Sequence, residues 1–301
     1  MTFLRTRSGQ SNRFLFHRTI YVMYVEGGNY SYTVNAALDG QYNTAAYDIK
    51  FWKHITDRIA LPGSIAIHAV GSKAALSEIA DRITADEISR SLVAMDRDYD
   101  DFIDEVNPHP YVMRTYGYGW ENDVWHPYSV VLLLDSLTLL QLDTKALAEE
   151  IAVMAEEFSV IIAPCVNLDV KLVKASRKTI IPRKSSSRCF SGPVGTKPTL
   201  KCKRKEEVRA QCRESVDVTG LPNEQVQLEI RYCPAHFYAD FYYRVVSYYM
   251  RRFGEKELLS RRRFAQLGLA AFGQILNTRD DPKLCDYYHE MIRRCIEALD
   301  E

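Results

Sequence analysis

Four short apolar runs, each ending in polar or charged residues, restrict the fold of this chain more than any other feature. Residues 20–25 (Ile-Tyr-Val-Met-Tyr-Val) are unbroken β-branched, aromatic and Met sequence that stops at Glu26-Gly27-Gly28. A run without polar alternation reads as a strand buried on both faces. A second run, Ile65 to Val70, stops at Gly71-Ser72-Lys73; a third, Ser91 to Met95, enters Asp96-Arg97-Asp98; a fourth, Tyr111 to Thr115, leads to Trp120-Glu121-Asn122. Helical spacings lie between them: Ile49, Trp52, Ile55 and Ile59, then Leu76, Ile79, Ala80 and Ile83 behind a capping Ser72. Short strands alternating with helices predict an α/β fold, a parallel sheet flanked by helices on both faces. In such sheets chemistry gathers at the carboxyl ends of the strands, which is where the charged residues fall. Residues Asn29 to Thr44, rich in Asn, Tyr and Gly, read as an inserted loop.

After Trp125 the pattern turns helical, over His126 to Leu142, Asp143 to Ile162, Phe237 to Tyr249, Arg251 to Leu276 and Lys283 to Leu299. The expected organisation is an α/β domain over residues 1–125 and a mostly helical C-terminal region over 126–301. Inside the latter, residues 171–213 carry 14 Lys plus Arg against Glu206 and Glu207 and form a basic loop. The 39 basic and 39 acidic side chains cancel overall. Residues 1–150 nevertheless hold 13 basic and 20 acidic (−7), and residues 151–301 hold 26 and 19 (+7). That asymmetry sets carboxylates beside a surface that attracts polyanions. A hydrophobic fraction of 47% supports a globular core and excludes a disordered or fibrous chain.

The apolar run Val130 to Leu142 is short for a bilayer and interrupted by Asp135. The N-terminus lacks the apolar stretch of a signal peptide. Seven cysteines, an odd number, read most simply as reduced thiols in a cytoplasmic protein. Cys233-Pro234-Ala235-His236 has a zinc-compatible spacer, with no second pair of that type to complete a site. The seven histidines form no HxH or HExxH pattern, and there is no GxxxxGK[ST] loop for ATP.

Glu26, Asp96 and Asp98 are therefore the candidate metal ligands. They end two strands of one sheet, and three carboxylates in one cleft repel unless a cation sits among them. Hard oxygen donors suit Mg²⁺ or Mn²⁺, which activate water and neutralise charge in phosphodiester displacement. Lys73, at a strand-to-helix junction, is placed to meet a phosphate together with the helix N–H groups, or is a solvated lysine.

The motifs Tyr24-Val25-Glu26-Gly27, Asp48-Ile49-Lys50-Phe51-Trp52, Gly71-Ser72-Lys73, Asp96-Arg97-Asp98 and Trp120-Glu121-Asn122 resemble the Toprim-like nucleases associated with ABC- or OLD-type ATPases. Within these they are most similar to the effector subunits of PARIS-type anti-phage systems, the AriB family. The resemblance covers about residues 20–125. It implies a Toprim-like sheet, Mg²⁺ or Mn²⁺ held by Glu26, Asp96 and Asp98, and auxiliary acidic positions at Asp48, a further metal ligand, and at Glu121, a catalytic residue together with Lys73. About twenty residues separate Glu26 from Asp48, so Asp48 either reaches the site or simply N-caps its helix. Glu121 is a site residue or a structural carboxylate. The resemblance further implies a toxic defence effector restrained by an AriA-like ABC-type ATPase subunit, freed when a phage trigger protein is sensed, dimerising, and cleaving host tRNA.

Lys201, Lys203, Arg204 and Lys205 are the candidate nucleic-acid contacts, because Lys and Arg bind backbone phosphates without reading sequence. Docking on an acidic partner is an equally good electrostatic reading. Tyr238, Tyr242, Tyr243, Tyr248 and Tyr249 either stack on unpaired bases or pack the helix. The expected function is a metal-dependent endonuclease. The alternative is a non-catalytic nucleic-acid-binding or sensor subunit of an ATPase complex.

Overall fold

The computed structural model describes residues 21–57, 64–103, 106–183, 189–200 and 230–300. These group into two compact units interleaved in sequence. The first comprises residues up to Asp96, Val106–Thr115 and Leu276 onward; the second comprises Arg97–Glu105 and Tyr116–Ile275. These boundaries do not coincide with a single cut at residue 125: the last helix groups with the sheet.

The first unit is built on a parallel sheet of order β2-β1-β3-β4, with β1 Tyr21–Glu26, β2 Ile65–Gly71, β3 Ser91–Met95 and β4 Val112–Arg114. The strands fall where the apolar runs place them. Val22 to Val25 and all of β3 are buried, because both faces of the sheet are covered. Alternate residues point to opposite faces. Val22, Tyr24, Val93, Met95 and Val112 pack with Leu76, Ile79, Ala80 and Ile83 of helix α3 (Lys73–Thr84) and with Val34, Ala37 and Leu38 of α1 (Val34–Leu38). On α2 (Tyr47–Thr56), Phe51 and Trp52 meet the Tyr288 ring of the last helix edge-on, at centroid distances of 6.1 and 6.0 Å. Ser72 caps α3 as the sequence predicts, its Oγ accepting the Ala75 N–H.

Helices dominate the second unit: α4 (Trp120–Val124), α5 (Pro127–Leu137), α6 (Thr144–Lys174), α7 (Ala235–Arg252) and α8 (Arg261–Thr278), whose last residues belong to the first unit. The final helix, α9 (Pro282–Asp300), lies wholly in the first unit. Rings fill much of the second core. Trp125 stacks on Phe264 at 3.8 Å, and Phe158 of α6 stacks on Phe241 of α7 at 4.2 Å. Tyr238, Tyr242, Tyr243 and Tyr249 are buried in this core, so they are packing residues; Tyr248 is half-buried. By length and composition α6 is apolar enough to cross a membrane. Here its Leu147, Ile151, Met154 and Phe158, one face of the helix, are buried in the unit.

Several helix ends differ from the periodicity: α6, expected to end at Ile162, runs on to Lys174 and takes in the first residues of the basic loop. The stretch expected as one helix from Arg251 is broken at 253–260, because Gly254 takes a left-handed turn (φ +90°) and Ser260 restarts the chain, its Oγ accepting the Arg263 N–H. The run expected through Leu142 stops at Leu137. Residues 184–188 and 201–213 of the basic loop, including Lys201, Lys203, Arg204 and Lys205, lie outside the described residues.

Candidate active site at the carboxyl edge of the sheet

Glu26 is the last residue of β1 and pairs with Gly71, the last of β2, across a register shift that begins at Val25. Gly27 then leaves the strand with φ +85° and bridges Gly71, itself at φ +97°. These glycines are needed for space as well as for conformation. A Cβ on Gly27 would lie 2.1 Å from Asp48 Oδ2, and one on Gly71 would lie 2.4 Å from the Tyr30 carbonyl oxygen. The Asp48 carboxylate thus rests against the residue that follows Glu26, although some twenty residues intervene in sequence.

Asn43 makes that return possible. Its Oδ1 accepts the N–H groups of Asn29 and Tyr30, both at 3.2 Å, and its Nδ2 donates to the carbonyls of Tyr30 (2.8 Å) and Ala69 (3.1 Å). Its backbone pairs with Ala69 of β2 in an antiparallel bridge. A buried amide with both ends bonded is a rigid clamp. Tyr42 stacks on the His68 ring of β2 at 3.6 Å and secures the same stretch. The segment expected as a plain loop is therefore folded, with α1 inside it.

Asp48 is not the N-cap of α2. That position is held by Ala46, with no side-chain cap, and Asp48 sits in the first helical turn. A carboxylate there is favoured by the helix dipole. Asp96 follows β3, the strand beside β1, and emerges at the same edge. Lys73 begins α3 just past the end of β2. Glu26, Asp48, Lys73 and Asp96 are all half-buried, and the Oε1 atom of Glu26 is buried.

In the second unit, Asp98 adopts φ +51°, and its N–H donates to the Tyr118 carbonyl at 2.8 Å. The following turn is held by the Arg97–Asp101 ion pair (2.6 Å) and by the Tyr232 hydroxyl donating to Asp101 (3.1 Å). Arg183, within the basic stretch, lies over the rings of Tyr99 and Tyr118 and pairs at 3.6 Å with Asp169. Asp169 is wholly buried, and burial pushes its carboxyl up to about 6, against the lowering effect of the Ile180 N–H, Arg183 and the Ile181 N–H. Burial likewise raises the Tyr99 hydroxyl, with Asp169 adding to the effect.

Glu121, on α4, is buried and receives the imidazole of His236 at 3.0 Å. Sequence reasoning gave His236 no role beyond the zinc spacing, since nothing in the chain links positions 121 and 236. The zinc reading does not suit the geometry: Cys233 is fully buried, whereas the His236 ring is exposed and turned to Glu121. Burial raises the Cys233 thiol well above its usual range, which opposes thiolate formation.

Among the described residues no three His, Cys, Asp or Glu side chains are grouped closely enough to hold a metal ion. The oxygen donors that this edge offers are the Asp48 carboxylate, lying against Gly27, and the Glu26 carboxylate, whose Oε1 is buried. No protein-family model matches the chain, and no curated protein matches it.

Proposed function

We propose that this protein is a metal-dependent, Toprim-like endonuclease acting at the carboxyl edge of its parallel sheet. The observation that carries this reading is the return of Asp48 to Gly27, beside Glu26, through an insertion clamped by Asn43. A solvated loop would not bring a second carboxylate to the end of the central strand. Bound Mg²⁺ or Mn²⁺ would polarise the phosphate and lower the pKa of a coordinated water. Glu26 and Asp48 are the residues that would hold it, with Asp96 at the same edge. Lys73, at the N-terminal end of α3, orients a substrate phosphate. The resemblance supplies the setting: a cytoplasmic anti-phage effector restrained by an ABC-type ATPase, responding to a phage trigger, homodimeric when freed, and directed at host tRNA.

The deciding experiment incubates the purified chain with bulk tRNA and with DNA in Mg²⁺, Mn²⁺ or EDTA. Cleavage of tRNA in Mg²⁺ is expected, with none in EDTA. Glu26→Ala is expected to lower the rate by a factor of about 100 or more while unfolding at an unchanged or higher temperature, because losing a carboxylate from an acidic edge relieves repulsion. Cleavage in EDTA equal to that in Mg²⁺ would remove the metal mechanism, and a fully active folded Glu26→Ala would remove the site.

A further inference from the structure

Among the described residues of the first unit, two Phe, Tyr or Trp side chains stand exposed, Tyr30 (68%) and Tyr47 (36%); the others are buried or half-buried. Both fall at the carboxyl edge of the sheet. Tyr47 opens α2 and directly precedes Asp48. Tyr30 follows Glu26 by four residues, and its carbonyl oxygen lies 2.4 Å from where a Cβ on Gly71 would sit. Gly71 is the cross-strand partner of Glu26. The backbone beneath the Tyr30 ring is fixed on both sides. Asn43 Oδ1 accepts its N–H at 3.2 Å, and Asn43 Nδ2 donates to its carbonyl at 2.8 Å. Two residues on, the Tyr32 N–H donates to the Val70 carbonyl of β2 at 3.0 Å. A ring on a fixed backbone has only its two side-chain torsions left to order, so little entropy is lost when a flat ligand covers it. A single exposed ring is ordinary on a protein surface; a pair restricted to the edge that carries the carboxylates is not.

We propose that Tyr30 is a stacking platform for an unpaired nucleobase of the strand that this protein cleaves. The proposal rests on the nuclease reading above and deepens it, by naming a single-stranded nucleotide as what the edge accepts. Every base has a π-face, so a tyrosine ring selects unpaired nucleotides without reading their sequence. Inside a duplex both faces of a base are already covered by its neighbours, and a base reaches Tyr30 only by leaving the stack and its pairing partner. Lys73 and Tyr30 then divide the work of binding. The ammonium holds backbone phosphate, paired or unpaired alike, and the ring separates the two. Tyr30 takes no part in the bond-breaking step, so its loss weakens substrate binding.

The test uses the full chain and a short single-stranded RNA carrying one 2-aminopurine, a base whose fluorescence falls when it stacks. The label is moved along the strand, Ca²⁺ replaces Mg²⁺, and a gel verifies that the strand stays intact. The wild type is expected to quench the label at one position and to bind the strand more tightly than a duplex of the same sequence. Tyr30→Ala removes an exposed ring, so its unfolding temperature should be unchanged. It is expected to lose the quenching and to bind the strand about 5–150-fold more weakly, while binding the duplex as the wild type does. Tyr30→Phe keeps the ring and is expected to behave as the wild type. Unchanged quenching and affinity in Tyr30→Ala would overturn the proposal. A Tyr30→Phe protein as weak as Tyr30→Ala would do the same, because the hydroxyl and not the ring would then hold the strand. Either result leaves the nuclease reading to stand on tRNA cleavage in Mg²⁺. A wild type that quenches the label through Tyr30 yet cleaves nothing keeps the stacking site and overturns the nuclease reading, and one that neither binds nor cleaves overturns both.

Discussion

At the scale of single residues, the site depends on side chains that are absent as much as on those present. Gly27 and Gly40 both hold left-handed backbone, at φ +85° and +91°. A Cβ at Gly40 meets nothing within 4 Å, whereas at Gly27 it meets Asp48. Alanine at either position is expected to cost about 1–2 kcal/mol of stability from the backbone alone. Only Gly27→Ala displaces the Asp48 carboxylate, so only Gly27→Ala is expected to lose nuclease activity, by about tenfold or more. Urea unfolding and a cleavage assay on the two variants check this, and equal activity in both would mean that the position of Asp48 is irrelevant. Glu26 and Asp96 were legible in sequence because strand ends announce themselves. The return of Asp48 was not, because it depends on one amide, Asn43, bonding both the start of the insertion and Ala69 of β2. The partnership of Glu121 and His236 spans more than a hundred residues and leaves no local pattern.

Among elements, the strands and the start of α3 follow directly from apolar runs and a Ser cap, since both are local in origin. Element ends that depend on a left-handed glycine, as at Gly254, were misplaced because periodicity does not register them. Helix α6 shows a further property that pattern alone conceals: Asp169 lies within an apolar helix and is wholly buried. Its folded pKa of about 6 exceeds the unfolded value of 3.8. Between those values the folded state keeps a proton that the unfolded chain has lost. Stability should therefore fall as pH rises from about 4 to about 6, by up to about 3 kcal/mol, and level off above that. Glu150 acts in the opposite sense, because the Arg252 hydrogen bond holds it low and its contribution disappears only as pH falls. Asp169→Asn should be free of the decline between pH 4 and 6, though less stable where Arg183 loses its partner. Urea midpoints measured across that range decide the matter: an unaltered slope in Asp169→Asn would assign the titration to another group.

The chain as a whole is organised by which segments complete each core. The sheet has two apolar faces, and α1 and α3 cover one of them. On α9 the residues Leu284, Cys285, Tyr288, Ile292 and Cys295 are each at most 1% exposed. They recur at helical spacing along one face, and Tyr288 meets Phe51 and Trp52 of α2. The Tyr111 hydroxyl donates to the Ala298 carbonyl at 2.5 Å, and the Tyr287 hydroxyl to the Arg114 carbonyl at 3.0 Å, which ties the same helix to β4 and the residue just before it. The amphipathic pattern of α9 was legible in sequence. Its destination was not, because periodicity identifies an apolar face without naming the surface that buries it. A chain ending at residue 281 would expose that face of the first unit and remove at least three large buried side chains, each contributing about 1.5–3 kcal/mol. Set against a typical total stability of about 5–15 kcal/mol, the loss is enough to unfold the unit. The shortened protein is expected to lose the near-ultraviolet dichroism of its packed aromatic rings in that unit and to lose nuclease activity with it, although every proposed site residue is retained. Retained cooperative unfolding and full cleavage by the shortened chain would show that residues 1–281 hold a complete core without α9.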